Sequence, residues 1–212
     1  MKYDLHIHTH HSRCSNLKPQ IILKLAKKRG LDGIAITDHH ETKGALEIKK
    51  LNKDKNFEVI VGEEVSTNLG DVLAYYLSEK IGKLDFFEVV DEAKKQGALI
   101  VIPHPFRTTF IKNHKFRIPI GKVKNFIDAV EGFNARTLPR DNKKASSVAD
   151  NLKIAKTAGS DSHFFFEIGT ARTIFDGDLR KALKSRSTRL EGTIRFGTLG
   201  GALSYLRKKF LV

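Results

Sequence analysis

The 212-residue sequence predicts an α/β protein in which a mostly parallel sheet is flanked by helices. Short β-rich runs alternate with longer amphipathic runs along the chain, which is typical of repeated strand–helix units. About six or seven such units fit this length, so the sequence suits either a small (β/α) barrel or an open wound sheet. Because no Gly/Ser-rich linker divides the chain, we expect a single domain over residues 1–212.

The first half of the chain begins with the alternating run YDLHIH, which predicts a strand. Further strands are predicted by GIAITDHH and FEVIVGEEVS, and DVLAYYL predicts one that is antiparallel or at an edge. The runs KPQIILKLAKKRG and TKGALEIKKLN predict helices between the strands. In the first of these, Pro19 suits the first turn and Gly30 suits the end.

The middle of the chain opens with a strongly amphipathic helix, KLDFFEVVDEAKKQG. We expect Phe86, Phe87, Val90 and Ala93 to lie near one face of it. A strand follows and stops at Pro103, because proline cannot donate to a sheet. The next predicted elements are a weak helix, a strand and a helix, in the runs IGKVKNF, DAVEGFNA and DNKKASSVADNL.

The last third predicts a strand and turn in KIAKTAGSDSH, followed by a short strand in GTARTIF. A helix, a strand and a closing helix are then predicted by DLRKALKS, GTIRF and LGGALSYLRKKFLV. We expect these last helices, about residues 178–212, to close the barrel.

The composition, with 40% hydrophobic and 29% charged residues, is typical of a soluble globular protein. No apolar run approaches the ~20 residues that span a bilayer, and no secretion signal opens the sequence, so we expect a cytoplasmic protein without a membrane partner. The single cysteine, Cys14, cannot form an internal disulfide. The net charge of +14 suits either a lysine-rich, soluble surface or attraction to phosphates and nucleic acid.

Polar or titratable side chains stand at the ends of six successive predicted strands. They are His6 and His8, then Asp38, His39 and His40, then Glu63 and Glu64, then His104, then Asn134, and finally Asp161 and His163. In a β/α barrel the carboxyl ends of all strands open on one rim, and that rim carries the active site. The sequence therefore predicts one cluster of these side chains.

The residue types in this cluster indicate a metal centre. The histidines of HIH, at positions i and i+2 of a strand, point to the same face and can chelate one ion. Imidazoles with carboxylates and no thiolate suit Zn²⁺, Mn²⁺ or Fe²⁺. The candidate ligands exceed what one ion can use, which favours two ions bridged by a carboxylate. They are His6, His8, His39, Glu64, His104, Asp161 and His163.

Other residues near these strand ends are expected to have supporting roles. His10 and His11 continue past the strand end, where orienting or loop roles are favoured over direct ligation. His40 is not expected to be a ligand. We expect Cys14 to be a small buried thiol, because the ligands around it are hard.

The ordered set DLHIH, GIAITDHH, VGEEVS, VIPHPFR, VEGFN and GSDSH resembles the PHP family, named for polymerase and histidinol phosphatase. The resemblance covers roughly residues 3 to 172. It implies a distorted (β/α)7 barrel, TIM-like, with mostly parallel strands. It also implies two or three divalent ions at the strand ends and hydrolysis of phosphoesters.

The resemblance implies a role for each candidate ligand. His6, His8 and Asp161 look like ligands of one ion, and Glu64 looks like the bridging carboxylate. His104 looks like a ligand of the second ion. A third ion, where bound, would be held by His39 and His163. Asp38 is expected to orient a ligand, and Asn134 matches a position near the ions without an assigned role.

The sequence departs from the family pattern at two positions where members commonly carry an ion ligand. Members commonly carry SDG shortly after HxH, and this chain has SRC, so the cation Arg13 replaces a ligand. The third site is then weak, absent or replaced by a guanidinium that grips phosphate. A histidine is common in the strand after GEEVS, where this chain has Asp71, as either a ligand or a structural residue.

The expected function is hydrolysis of a phosphomonoester or phosphodiester by metal-bound hydroxide at a two- or three-metal site. We expect Arg107 to bind a non-bridging phosphate oxygen, with Arg13 as the second candidate. The substrate is expected to be a phosphorylated small molecule or nucleotide. The alternatives are a metal-dependent nuclease and an RNA-binding, PHP-like subunit without catalysis, which the basic loop RTTFIKNHKFRIPIGKVK would suit.

Overall fold

The computed structural model describes residues 1–108, 115–194 and 197–210. Part of the predicted basic loop, the end of the strand predicted in GTIRF and the last two residues of the predicted closing helix lie outside these ranges.

One nine-stranded sheet forms the centre of the molecule, with the strand order β7-β6-β5-β4-β3-β2-β1-β8-β9. The strands are β1 Lys2–Ile7, β2 Gly33–Ile36, β3 Glu58–Thr67, β4 Gly70–Tyr75, β5 Leu99–Ile102, β6 Ala129–Asn134, β7 Ala155–Gly159, β8 Ala171–Ile174 and β9 Arg189–Gly192. Among the first seven strands, only β4 runs against the others, because it pairs antiparallel with both β3 and β5.

The sheet curls into a nearly closed barrel between β7 and β1. Ser162, just beyond β7, forms a parallel bridge with Ile7, and its carbonyl accepts from the His8 backbone N–H at 2.9 Å. The seven strands of the expected distorted barrel are therefore present. The antiparallel strands β8 and β9 extend the sheet beyond β1, which accounts for the two additional strands.

Six α-helices accompany the strands within the described ranges: α1 Pro19–Lys28, α2 Lys43–Leu51, α3 Phe86–Lys95, α4 Pro139–Leu152, α5 Leu179–Ser185 and α6 Gly197–Phe210. Pro19 begins α1, and Gly30 follows its end with a φ of +69°, as the sequence predicts. The weak helix predicted in IGKVKNF is a single 3-10 turn, Ile120–Lys122.

Two sequence predictions need correction. Phe87 is 43% exposed, and Val89 joins Phe86, Val90 and Ala93 on the buried face of α3. Residues one apart on a helix point about 100° from each other, whereas residues three or four apart share a face. The strand predicted in GTIRF ends at Gly192, because the pairing with β8 begins three residues earlier at Arg189.

Apolar side chains fill the barrel at the end where the strands begin. Tyr3, Leu5, Leu73 and Tyr75 pack there with residues of α5, including Leu179. A second apolar layer lies between the outer face of the sheet and helices α1 to α4. The opposite end of the barrel interior is left for polar side chains, as in other β/α barrels.

The longest described helices, α4 and α6, have 14 residues each. Within the described residues, no helix combines the length and the apolar character that crossing a membrane requires.

Candidate metal centre

Four side chains from three different parts of the chain surround one point at the carboxyl end of the barrel. The Nε2 atoms of His6 and His8 lie 3.1 Å apart. Glu64 Oε2 lies 3.5 Å from His6 Nε2 and 3.3 Å from His8 Nε2. Asp161 Oδ1 lies 3.7 and 3.4 Å from the same two nitrogens. The structure therefore brings these predicted ligands together.

The spacing and chemistry of these four side chains fit a divalent ion. Nitrogen and oxygen ligands bind Zn²⁺ at about 2.0–2.2 Å, so tetrahedral ligands of one ion stand ~3.3 Å apart. The five distances above, 3.1–3.7 Å, scatter around this value. All four residues are buried, and the donor set of two imidazoles and two carboxylates suits Zn²⁺, Mn²⁺ or Fe²⁺.

Glu64 also contacts the ligands predicted for other ions. Its Oε1 lies 3.1 Å from His104 Nε2, and its Oε2 lies 3.1 Å from His39 Nδ1. Ligand atoms of Glu64, His104 and Asp71 lie within 4.8 Å of one another, so Asp71 stands where it could share the second ion. His104 Nδ1 is buried without a hydrogen-bond partner in the described part of the chain.

A third group contains only histidines: His8, His39 and His163 have ring nitrogens within 4.8 Å of one another. His163 Nδ1 lies 2.8 Å from the backbone oxygen of Asp161, so this nitrogen carries the proton and donates. His163 Nε2 lies 3.1 Å from Cys14 Sγ. Burial raises the pKa of the Cys14 thiol to about 12, so the neutral S–H donates to this nitrogen.

The electrostatics of the centre favour added positive charge. Burial alone would lower the pKa of His6, but Asp161, Glu131 and Glu64 raise it well above its ordinary value. Burial likewise opposes ionisation of Glu64, yet His39 and His6 hold its pKa well below its ordinary value. The buried carboxylates thus favour protonation of His6 and His8, whereas burial lowers the pKa values of His39 and His163. A divalent ion beside His6 and His8 would balance the same negative charge.

Arg107, predicted to bind phosphate, lies at the edge of the centre with 13% of its side chain exposed. Its Nη2 pairs with Asp161 Oδ2 and donates to Asn134 Oδ1 at 2.8 Å. Burial opposes its charge, but Asp161 raises the pKa of Arg107. Arg13 is exposed, and no hydrogen bond or ion pair joins it to the centre within the described residues.

Glu131 is a residue of the centre that the sequence reasoning missed. It is buried on β6, and His6 Nδ1 lies 3.0 Å from its Oε1. Its Oε2 accepts from the His104 backbone N–H and from Asn134 Nδ2, both at 2.9 Å. Glu131 thereby orients His6 so that Nε2 faces Glu64 and Asp161. A carboxylate inside the otherwise apolar run AVEGF is the signal that could have revealed it.

Two further polar residues hold the ligand-bearing loops. Asp38 accepts from the backbone N–H of Thr9 at 2.7 Å and from Ser12 Oγ at 2.6 Å. Ser12 Oγ in turn lies 3.4 Å from His8 Nδ1. Asn134 donates from Nδ2 to Asp161 Oδ2 at 3.3 Å, in addition to its contacts with Glu131 and Arg107. Both residues therefore position ligands.

Backbone conformation also shapes the centre. His104 and Asp161 have φ angles of +31° and +54°, in the left-handed region that non-glycine residues rarely adopt. Such strain is concentrated at functional sites, where the surrounding contacts enforce it. Gly159 leaves room for His6, since a Cβ there would lie 2.9 Å from the His6 backbone nitrogen.

Two proteins of known sequence and one family model are similar to this chain. The chain is 35% identical over 175 residues to the uncharacterized protein MJ0417 of Methanocaldococcus jannaschii, covering 81% of this chain and 69% of that protein. It is 40% identical over 117 residues to MJ1587 of the same organism, covering 50% of this chain and 68% of the relative. A family model described as PHP-associated matches residues 139–188, which include Asp161 and His163.

A solved structure agrees with the fold. The crystal structure of a two-domain protein from Bacteroides vulgatus, described as containing a predicted PHP-like metal-dependent phosphoesterase, matches with a TM-score of 0.78 at 19% sequence identity. The match covers 91% of this chain and 65% of the Bacteroides protein, so this chain spans just under two thirds of that protein. In its match to the PHP-associated model, in its barrel and in the motifs that meet at the carboxyl end of the barrel, the chain is similar to the PHP family.

Proposed function

We propose that this protein is a hydrolase that uses divalent ions to cleave a phosphoester. The observation that carries the proposal is the cage of His6, His8, Glu64 and Asp161, with Glu64 extending to His104 through its second oxygen. The description of the Bacteroides protein as a predicted metal-dependent phosphoesterase supports the same reaction class.

The ligands divide into two adjoining groups that share Glu64. His6, His8 and Asp161 would hold one ion, and His104, with Asp71 beside it, would hold a second. Divalent ions held there would supply Lewis acidity, which activates water and stabilises charge that develops on the phosphoryl group. Two adjacent ion positions with a shared carboxylate are the arrangement that this chemistry uses in phosphatases and nucleases.

The protein's own residues then orient the substrate. Arg107 is fixed from one side by Asp161, Asn134 and Thr137, the last through Nε at 3.3 Å. Its Nη1 has no acceptor within the described residues, and this group would bind a non-bridging phosphate oxygen. Because Arg107 also pairs with the ion ligand Asp161, its guanidinium would lie beside the ions.

The direct test begins with protein stripped of metal by a chelator. Mn²⁺, Zn²⁺ or Mg²⁺ is restored, and hydrolysis of an aryl phosphate and an aryl phosphodiester is measured. We expect activity with at least one ion, and its loss in His8→Ala. The matched control is His11→Ala, since His11 faces Glu47 outside the cage and should keep wild-type activity. Hydrolysis that is absent with every ion, or unchanged in His8→Ala, would contradict the proposal.

A nucleic-acid substrate is the second candidate, and the net charge of +14 favours it. Incubating the ion-loaded protein with a labelled oligonucleotide separates the cases. Cleavage, with binding that falls steeply as salt is raised, would identify a nuclease. If the protein binds the oligonucleotide but cleaves neither it nor the aryl phosphoesters, the result would instead support a non-catalytic RNA-binding role. Hydrolysis of small phosphoesters alone would identify a phosphatase or phosphodiesterase for small substrates.

A further inference from the structure

The turn that follows β1 presents two adjacent histidines outside the cage. His10 and His11 are its central residues, because the Ser12 backbone N–H donates to the Thr9 carbonyl at 3.0 Å and closes the turn. Neighbouring side chains point to opposite faces along a strand, whereas a tight turn can bring them together. The two imidazole rings have centroids 4.4 Å apart and an interplanar angle of 35°. The turn therefore holds two nitrogen ligands side by side.

The close approach of α2 brings a carboxylate to these two rings. A Cβ at Gly44 would lie 2.4 Å from Thr9 Oγ1, so glycine at this position lets the helix pack directly on the turn. Glu47, three residues later, lies on the same side of the helix. Its Oε1 stands 2.9 Å from His11 Nε2. The packing of α2 thus places the Glu47 carboxylate against the two histidines.

We propose that His10, His11 and Glu47 bind a divalent transition-metal ion such as Zn²⁺ at a surface site separate from the cage. One ligand atom of each side chain lies within 4.8 Å of the other two. Tetrahedral ligands of one Zn²⁺ stand ~3.3 Å apart. The 2.9 Å between His11 and Glu47 is close to this spacing, and His10 is exposed, so rotation of its ring can close the remaining distance.

The ligand types and their exposure determine which ions this surface site takes. Two imidazoles and one carboxylate suit Zn²⁺, whereas Mg²⁺ prefers oxygen ligands. Three protein ligands leave the fourth tetrahedral position to solvent. The Glu47 side chain is 48% exposed and that of His11 is 22% exposed, so an ion can enter from solution. A bound ion would link the loop after β1 to α2.

Counting bound ions tests the surface site. Metal-free protein is dialysed to equilibrium against buffer that contains Zn²⁺, and the zinc per chain is measured by elemental analysis. We expect Glu47→Ala and His10→Ala each to bind one Zn²⁺ fewer than the wild type at a limiting concentration of Zn²⁺. Calorimetric titration should show this site weakened at least about 10-fold, since even loss of an outer-shell partner costs this much. Glu88→Ala removes an exposed carboxylate of α3 and should match the wild type.

The surface site and the cage can fail separately. The double variant that carries His8→Ala and Glu47→Ala should bind one Zn²⁺ fewer than His8→Ala alone. Zinc counts and titration curves of Glu47→Ala or of His10→Ala equal to those of the wild type would overturn the surface site, and phosphoester hydrolysis would then leave the proposed function standing. Loss of one Zn²⁺ in both variants, without hydrolysis by the wild type with any ion, would support the surface site and overturn the proposed function.

Discussion

At the scale of single residues, the carboxylates of the centre differ in which atoms they contact. Glu64 and Asp161 face the ion positions, whereas Glu131 faces the far nitrogen of His6 and the backbone of His104. A carboxylate that accepts from the non-ligating nitrogen of a histidine fixes the tautomer and ring orientation of that ligand. Glu131 is thus a positioning residue whose effect reaches two ligands.

We predict that Glu131→Gln weakens ion binding by about 10–100-fold, the usual cost of losing such a partner. Glutamine keeps the size of the side chain but removes the charge. It also replaces one of the two acceptor oxygens, Oε1 for His6 or Oε2 for the His104 N–H and Asn134 Nδ2, with a donor. Calorimetric titration of metal-free protein with Zn²⁺ measures the affinity. Glu88→Gln, an exposed carboxylate on α3, is the control. Equal affinities for both variants would show that Glu131 has no positioning role.

Close packing at one glycine offers a second prediction at this scale. A methyl group at Gly159 would lie 2.8 Å from Glu131 Oε1 as well as against His6. We expect Gly159→Ala to lower the free energy of unfolding by ~1–3 kcal/mol, the usual cost of overpacking a core. Chemical denaturation measures it. Gly82→Ala is the matched control, because a Cβ there meets no atom within 4 Å. Equal stability of the two variants would contradict this account of the strand contact.

At the scale of elements, a buried ion pair connects α6 to the loop that carries His163. Arg136 donates to Glu167 from Nε at 2.8 Å and from Nη2 at 2.7 Å. Arg136 Nη1 donates to Ser204 Oγ on α6 at 3.0 Å. Glu167 Oε2 also accepts from the His163 backbone N–H at 2.9 Å. The pair therefore joins α6 to the turn that carries His163.

We predict that Glu167→Gln destabilises the protein by about 3–5 kcal/mol, because it leaves the buried Arg136 charge unpaired. The free energy of unfolding from chemical denaturation measures the effect. Glu191→Gln is the control, since its pair with Arg172 is partly exposed, at 56% for Glu191 and 32% for Arg172, and should contribute at most ~1 kcal/mol. If Glu167→Gln lowered the free energy of unfolding no more than Glu191→Gln does, the Arg136–Glu167 pair would not be what holds α6 to the loop that carries His163.

At the scale of the whole molecule, the alternation of strands and helices predicted an α/β protein, either a small barrel or an open wound sheet. The resemblance to the PHP family implied the barrel, and the polar strand ends predicted a common rim. Because carboxyl ends of parallel strands meet on one edge, strand-end residues such as His6, Glu64 and Asp161 could be identified from position alone. Glu131 could not, since it lies three residues before Asn134, the polar residue at the end of its strand, and acts through His6. The place of Cys14 depended on which loop residue points inward, which periodicity does not encode.

The central claim is that these strand ends form one shared cage for divalent ions. Anomalous scattering from crystals soaked in Mn²⁺ or Zn²⁺ tests it most directly. We predict one peak enclosed by His6, His8, Glu64 and Asp161, and a second between Glu64 and His104. Fully occupied anomalous peaks that lie away from these side chains, with the cage holding none, would contradict the account.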